Sequence, residues 1–121
     1  MMLDECPPYP ATEKYVRESM ELTHRWAKRG KEAFDQSEPL YGHRQFQFAI
    51  TQGGTFQEYR KQSTRYMVDL DPDGLAIGGL SVGEPAEYMY EMTDLSTDYM
   101  PQEKPRYLMG VGRPENILES V

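Results

Sequence analysis

The chain has 121 residues, a net charge of −7 and 38% hydrophobic residues. That length suits one small domain and falls well short of the about 250 residues of a complete (β/α)₈ barrel. The mixed composition excludes a low-complexity chain, no apolar run approaches the roughly 20 residues of a membrane span, and the acidic balance argues against a sole platform for nucleic acid, whose phosphates are met by Lys and Arg.

Met1-Met2-Leu3 runs at once into Asp4-Glu5, so no signal peptide is expected and the cytoplasm is the expected compartment. A single cysteine, Cys6, excludes an internal disulfide framework and fits a reducing environment. Cys6, His24 and His43 have no metal-ligand spacing.

In chain order, Met1-Met2-Leu3 reads as a strand stub that leads into a loop stiffened by Pro7, Pro8 and Pro10. Thr12 is placed to cap a helix with the apolar stripe Val16, Met20, Thr23 and Ala27, and Gly30 should end or weaken it unless Ala33 and Phe34 carry it on. Arg25, Lys28, Arg29 and Lys31 read as a basic helix C-terminus favoured by the helix dipole, or as a nucleic-acid-facing patch. After a linker at 37–42, residues 45–51 read as a second strand, Phe46, Phe48 and Ile50 alternating with Gln45, Gln47 and Ala49. Gln52-Gly53-Gly54 breaks it, and Phe56, Tyr59, Ser63, Tyr66 and Met67 mark a second helix. The turn Asp71-Pro72-Asp73-Gly74 precedes a third strand, Leu75-Ala76-Ile77, stopped by Gly78-Gly79. Pro85 suits the first turn of a third helix that buries Met89, Met92 and Leu95. Residues 106–109 form a fourth strand, Gly110-Val111-Gly112 follows, and Pro114 opens a helix with Ile117, Leu118 and Val121.

Strand, loop and helix thus recur without sequence repetition, which predicts an α/β domain over 1–121 with four consecutive β/α units and parallel strands. Such units suit half a barrel or a small open sheet. In either, the site lies at the carboxyl ends of the strands. Asp4, Gln52-Gly53-Gly54, Gly78-Gly79 and Met109-Gly110 stand there. A carboxylate can accept from the N1–H and amine of guanine, an amide or backbone N–H can donate to O6, glycines admit close approach, and a methionine can lie on the ring. Against this, an Asp before prolines is commonly a turn residue and Gly-Gly a plain strand-to-helix turn. Gly110-Val111-Gly112-Arg113-Pro114 would also suit a phosphate at a helix N-terminus.

Four stretches resemble the tRNA-guanine transglycosylase family: 3–12 (LDECPPYPAT), 52–54 (QGG), 76–84 (AIGGLSVGE) and 107–112 (YLMGVG). The resemblance implies a partial (β/α)₈ TIM barrel and exchange of the wobble guanine of tRNA for a 7-deazaguanine through a covalent intermediate, on a flipped-out base. Carried over by position, it implies that Asp4 grips the Watson–Crick edge, Gln52 and the Gly79 N–H serve O6, and the Leu80 carbonyl meets the aminomethyl group in a peptide whose flip Glu84 supports. Met109 walls the base with Gly110 leaving room beside it, and Cys6 and Val82 line the pocket. Val82 and Cys6 follow the bacterial pattern, which implies 7-aminomethyl-7-deazaguanine as the incoming base. The family's nucleophilic aspartate, its second catalytic aspartate and its Cys₃His zinc ligands match no residue here, so the expectation is a fragment inactive alone and without a metal or cofactor of its own. Two open sheet edges lead to an expected homo-oligomer. A non-catalytic base-binding or scaffold subunit and an unrelated phosphate-binding module are the other readings.

Overall fold

Thr12 opens the first helix as its sequence suggests: its Oγ1 accepts from the Tyr15 N–H at 3.3 Å. In the computed structural model, which describes residues 1–121, this helix α1 spans Glu13–Gln36. Strand β1 (Phe48–Thr51), α2 (Gln57–Asp69), β2 (Gly74–Ile77), α3 (Ala86–Asp98), β3 (Arg106–Leu108) and α4 (Pro114–Glu119) follow. The three strands form one parallel sheet in the order β1-β2-β3. A helix follows each strand, as parallel crossovers require. The architecture is α/β, consistent with a fragment of a TIM barrel.

The sheet has three strands and not four. Met1-Met2-Leu3 makes one ladder-like bond, from the Met2 N–H to the Phe48 carbonyl at 2.9 Å, and does not reach strand geometry. One bond leaves the rest of that backbone free, although Met2 is buried while Met1 and Leu3 are exposed. The second strand is also shorter than residues 45–51. Phe46 lies outside it, exposed under the Arg44 guanidinium, 4.8 Å from the ring centroid. The predicted alternation fails because Ala49, Ile50 and Thr51 are all buried, as in a parallel strand covered on both faces.

Gly30 does not end α1, which runs on to Gln36. The Gly30 carbonyl accepts from Gln47 Nε2 at 3.2 Å, which ties the helix to the approach of β1. The basic cluster therefore lies within the helix and not in its last turn, which carries no basic residue. The helix dipole, felt only in the last turn, does not account for the cluster. Lys31 instead pairs with Asp35 at 2.6 Å.

The stripe Val16, Met20, Thr23 and Ala27 is buried as predicted. The core gathers Met2, Ala27, Ala49, Met67, Leu75, Ile77, Leu80, Met89, Met92 and Met100. Methionine's unbranched chain fills the irregular space between sheet and helices. Gly74 faces Phe48, and a Cβ there would meet that ring at 2.5 Å. Pro85 caps α3 and Pro114 occupies the first turn of α4.

Strand register then places the site. Thr51 lies beside Ile77, and Ile77 beside Leu108. The chain leaves all three strands at one level, so Gln52, Gly78 and Met109 emerge on one edge. Gly78 N donates to the Thr51 carbonyl at 3.0 Å and Met109 N to the Ile77 carbonyl at 3.1 Å, extending the ladder by one residue.

Candidate functional site

Asp4 is held between two anchors. Upstream, Met2 is bonded to Phe48; downstream, the Glu5 N–H donates to Thr23 Oγ1 at 2.9 Å and Ser19 Oγ to the Glu5 carbonyl at 3.2 Å. Between them the Asp4 carboxylate meets Gln52, whose Nε2 donates to Oδ2 at 2.6 Å. Gln52 is buried, and its Oε1 has no hydrogen-bond partner.

Behind Gln52 stands a buried relay. The Gln52 N–H donates to Ser63 Oγ at 2.9 Å, and Ser63 Oγ lies 3.1 Å from His24 Nε2. Because Ser63 accepts from Gln52, its own hydroxyl proton is free for an unprotonated Nε2. Burial keeps the imidazole neutral, pushing its pKa down to about 4. The ring stacks on Tyr66 with centroids 4.2 Å apart.

Arg60 supports the glycine turn. Its guanidinium is fully buried; Nη1 donates to the Gly78 carbonyl and Nη2 to the Gly54 carbonyl, each at 2.7 Å. Desolvation pushes its pKa down to about 10, with Cys6 and then Glu84 opposing. Gly79 has φ +69, and a Cβ there would run into Gln52 Oε1. Only glycine serves this close approach.

Cys6 as a residue is exposed, yet its sulfur lies at the same point. Burial of the thiol pushes its pKa up and Asp4 adds to the rise, while the Gly79 N–H and the Gln52 amide oppose it.

From 80 to 84 the chain turns tightly. The Leu80 side chain is buried in the core, and Ser81 has φ 58. The Glu84 carboxylate accepts from the Ser81 N–H and, at 2.8 Å, from the Val82 N–H. In a trans peptide the Leu80 carbonyl opposes the Ser81 N–H, so it is turned away from Glu84. Gly110, with φ +77, faces it: a Cβ there would lie 3.8 Å from the Leu80 carbonyl oxygen, and Ser81 Oγ donates to the Gly110 carbonyl at 3.1 Å. Met109 is half-buried at the β3 exit.

The structure thus brings Asp4, Cys6, Gln52 and Gly79 together and sets Leu80, Met109 and Gly110 along the same strand ends. Val82 and Glu84 line a neighbouring hollow of about 230 Å³ beneath the proline loop, with Gly79 on its wall. Sequence reading missed Arg60 and His24. A signal existed for Arg60: it falls at helical spacing between Phe56 and Met67, a cation in a buried register. His24 gave none, because its partner Ser63 is 39 residues away.

No three His, Cys, Asp or Glu side chains cluster to hold a metal. His24 is engaged by Ser63 and Tyr66, so the residues here do not fit the zinc site that the family resemblance implies elsewhere. No helix is long and apolar enough to cross a membrane.

Comparison with known proteins gives the family. The family described as "Queuine tRNA-ribosyltransferase" matches residues 1–121. Relatives of that name are 54% identical in Caldanaerobacter subterraneus subsp. tengcongensis, 52% in Thermoanaerobacter pseudethanolicus and 50% in Actinobacillus succinogenes. Each match covers 100% of this chain and 31% of the relative, so the chain spans under a third of their length. With all 121 residues matched, the chain belongs to the queuine tRNA-ribosyltransferase family.

Proposed function

We propose that these residues form the base-recognition face of a tRNA-guanine transglycosylase, which exchanges the wobble guanine of tRNA for 7-aminomethyl-7-deazaguanine on the path to queuosine. The observation that carries this reading is the meeting of Asp4 and Gln52 beside Gly79, where a Cβ would run into Gln52 Oε1. The carboxylate accepts from the N1–H and the amine of a guanine-type base. The second amide hydrogen of Gln52 and the Gly79 N–H serve O6. A site built to pair those edges rejects adenine, because its own buried groups would be left unpaired.

Leu80, Val82, Glu84, Met109 and Gly110 complete the pocket in this reading. The Leu80 carbonyl, free of Glu84, is available to an aminomethyl ammonium. Met109 covers the base, Gly110 leaves room beside it, and Val82 limits the 7-substituent. Glu84 holds the Leu80–Ser81 peptide in that orientation. The reaction takes place in the cytoplasm on tRNA, with an aspartate nucleophile contributed by a part of the enzyme that these residues do not match. Recognition thus rests with these residues, and chemistry with others.

Calorimetry of the chain with 7-aminomethyl-7-deazaguanine tests the reading. Binding that Asp4→Ala weakens by about a hundredfold or more is expected, since a buried charge-assisted pair is lost. Binding indifferent to Asp4→Ala, or none at all, would remove the support for a base site.

A further inference from the structure

Arg60 is the one fully buried cation in the chain, and it takes part in no ion pair. Its partners are the neutral carbonyls of Gly78 and Gly54, both at 2.7 Å, while Nε is buried without a partner. A structural arginine in a core is ordinarily neutralised by a carboxylate, because a buried unpaired charge is costly. This one is left charged beneath the strand ends. The Gly78 carbonyl and the Gly79 N–H belong to a single peptide unit. A cation on the oxygen of that unit draws electron density from the nitrogen and strengthens the N–H as a donor, since hydrogen bonds in series polarise one another at low dielectric. In a trans peptide that N–H points away from the guanidinium bound to the carbonyl, and Gly79 lies against Gln52, whose Oε1 a Cβ at Gly79 would meet.

We infer that Arg60 is a positioning and polarising residue: through the Gly78–Gly79 peptide it fixes and strengthens the N–H that recognises the 6-oxygen of a purine. The inference rests on the reading of this face as a base site. It also adds a role in base departure. When the bond from ribose to purine breaks, the leaving ring carries negative charge that spreads to its 6-oxygen, and a donor backed by a buried cation outside any ion pair binds that oxygen more strongly than in the neutral base. Arg60 touches no reacting atom and acts only through the peptide. The second bond, to Gly54, keeps the guanidinium plane fixed against the turn after β1.

The test compares guanine with 6-thioguanine, which keeps the N1–H and the amine but presents sulfur, a weak acceptor, at position 6. Calorimetry on the chain and on Arg60→Met, each checked for fold by circular dichroism, should show unmodified chain preferring guanine. Arg60→Met should lower that preference by about tenfold while the 6-thioguanine affinity changes little. Arg60→Lys keeps the charge but reaches one carbonyl at a time, and should fall between the two. If Arg60→Met does not fold, Arg60→Lys carries the comparison: a preference reduced by about twofold or more supports the inference. Equal loss of both purines in a folded variant, or an unchanged preference, overturns it and assigns Arg60 a packing role. If the unmodified chain binds neither purine, the base-site reading itself fails and the inference with it.

Discussion

Gln52 Nε2 donates to the Asp4 carboxylate at 2.6 Å, joining residues 48 positions apart across the end of β1. The pair is neutral with anionic, and Gln52→Glu would make it two carboxylates in one buried place. Like charges at that distance raise a carboxyl pKa in the folded state above its unfolded value. The variant's stability relative to the unmodified chain should therefore be nearest normal at low pH, where the new carboxyl is protonated and can donate, and be lost as pH rises. Urea unfolding at about pH 5 and about pH 7 reads the difference, with a deficit of about 1–3 kcal/mol expected at the higher pH. A deficit equal at both values would show that the two side chains do not meet.

Gly79→Ala should be damaging on two counts. Its φ of +69 costs an L-residue roughly 1–2 kcal/mol, and the added Cβ runs into Gln52 Oε1. Gly112→Ala is the control, with nothing within 4 Å of its Cβ. Chemical denaturation should separate the two by about 2 kcal/mol or more. Matching stabilities would contradict the close approach of the glycine turn to Gln52.

His24 makes stability depend on pH. Its folded pKa is pushed down to about 4 by burial, against about 6.5 in an unfolded chain. Between those values the unfolded state takes up a proton that the folded state refuses, so stability falls as pH drops from about 6.5 towards 4. The loss across that window is on the order of 3 kcal/mol. His24→Gln should flatten the dependence between about pH 5 and about pH 6.5. A slope that persists in this variant would assign the effect to other groups.

The free side of β3 and the apolar surface beside it should drive self-association. β3 pairs only with β2, and Ile117, Leu118 and Val121 on and after α4 are exposed. Light scattering on the chain should give a mass above that of one 14.0 kDa copy. A monodisperse single copy would show that this edge is tolerated in water.

Base exchange by these 121 residues alone should be undetectable. A nucleophile and its partners act as a unit, and the proposed function gives Asp4 the task of binding the base. Incorporation of labelled guanine into tRNA by the purified chain would mean that Asp4 or another local carboxylate performs the displacement.

Much of the secondary structure was open to local reading. Thr12, Pro85 and Pro114 mark helix starts through chemistry confined to their own turns, and the spacing of Val16, Met20, Thr23 and Ala27 exposes the buried face of α1. Local rules misjudged the residues whose fate is set by distant partners. Gly30 suggests an end or a weak point unless Ala33 and Phe34 carry the helix on, and α1 does continue past it, with the Gly30 carbonyl taken up by Gln47. Met1-Met2-Leu3 suggests a strand stub and has a single ladder bond. Phe46 was placed on a strand face and instead stacks under Arg44 in solvent.

The order of elements, their α/β character and the family stretches are written in the chain, because periodicity, capping and motif identity need no partner beyond the next turn. The assembly of the site is not. Parallel register levels Thr51, Ile77 and Leu108; that alone aligns Gln52, Gly78 and Met109 at one edge. Only packing brings Asp4 to Gln52, puts Ser63 and His24 behind it, and seals a cation under Gly78. Such contacts arise from segments 11 to 48 residues apart meeting in space, and no pattern along a single segment encodes that meeting.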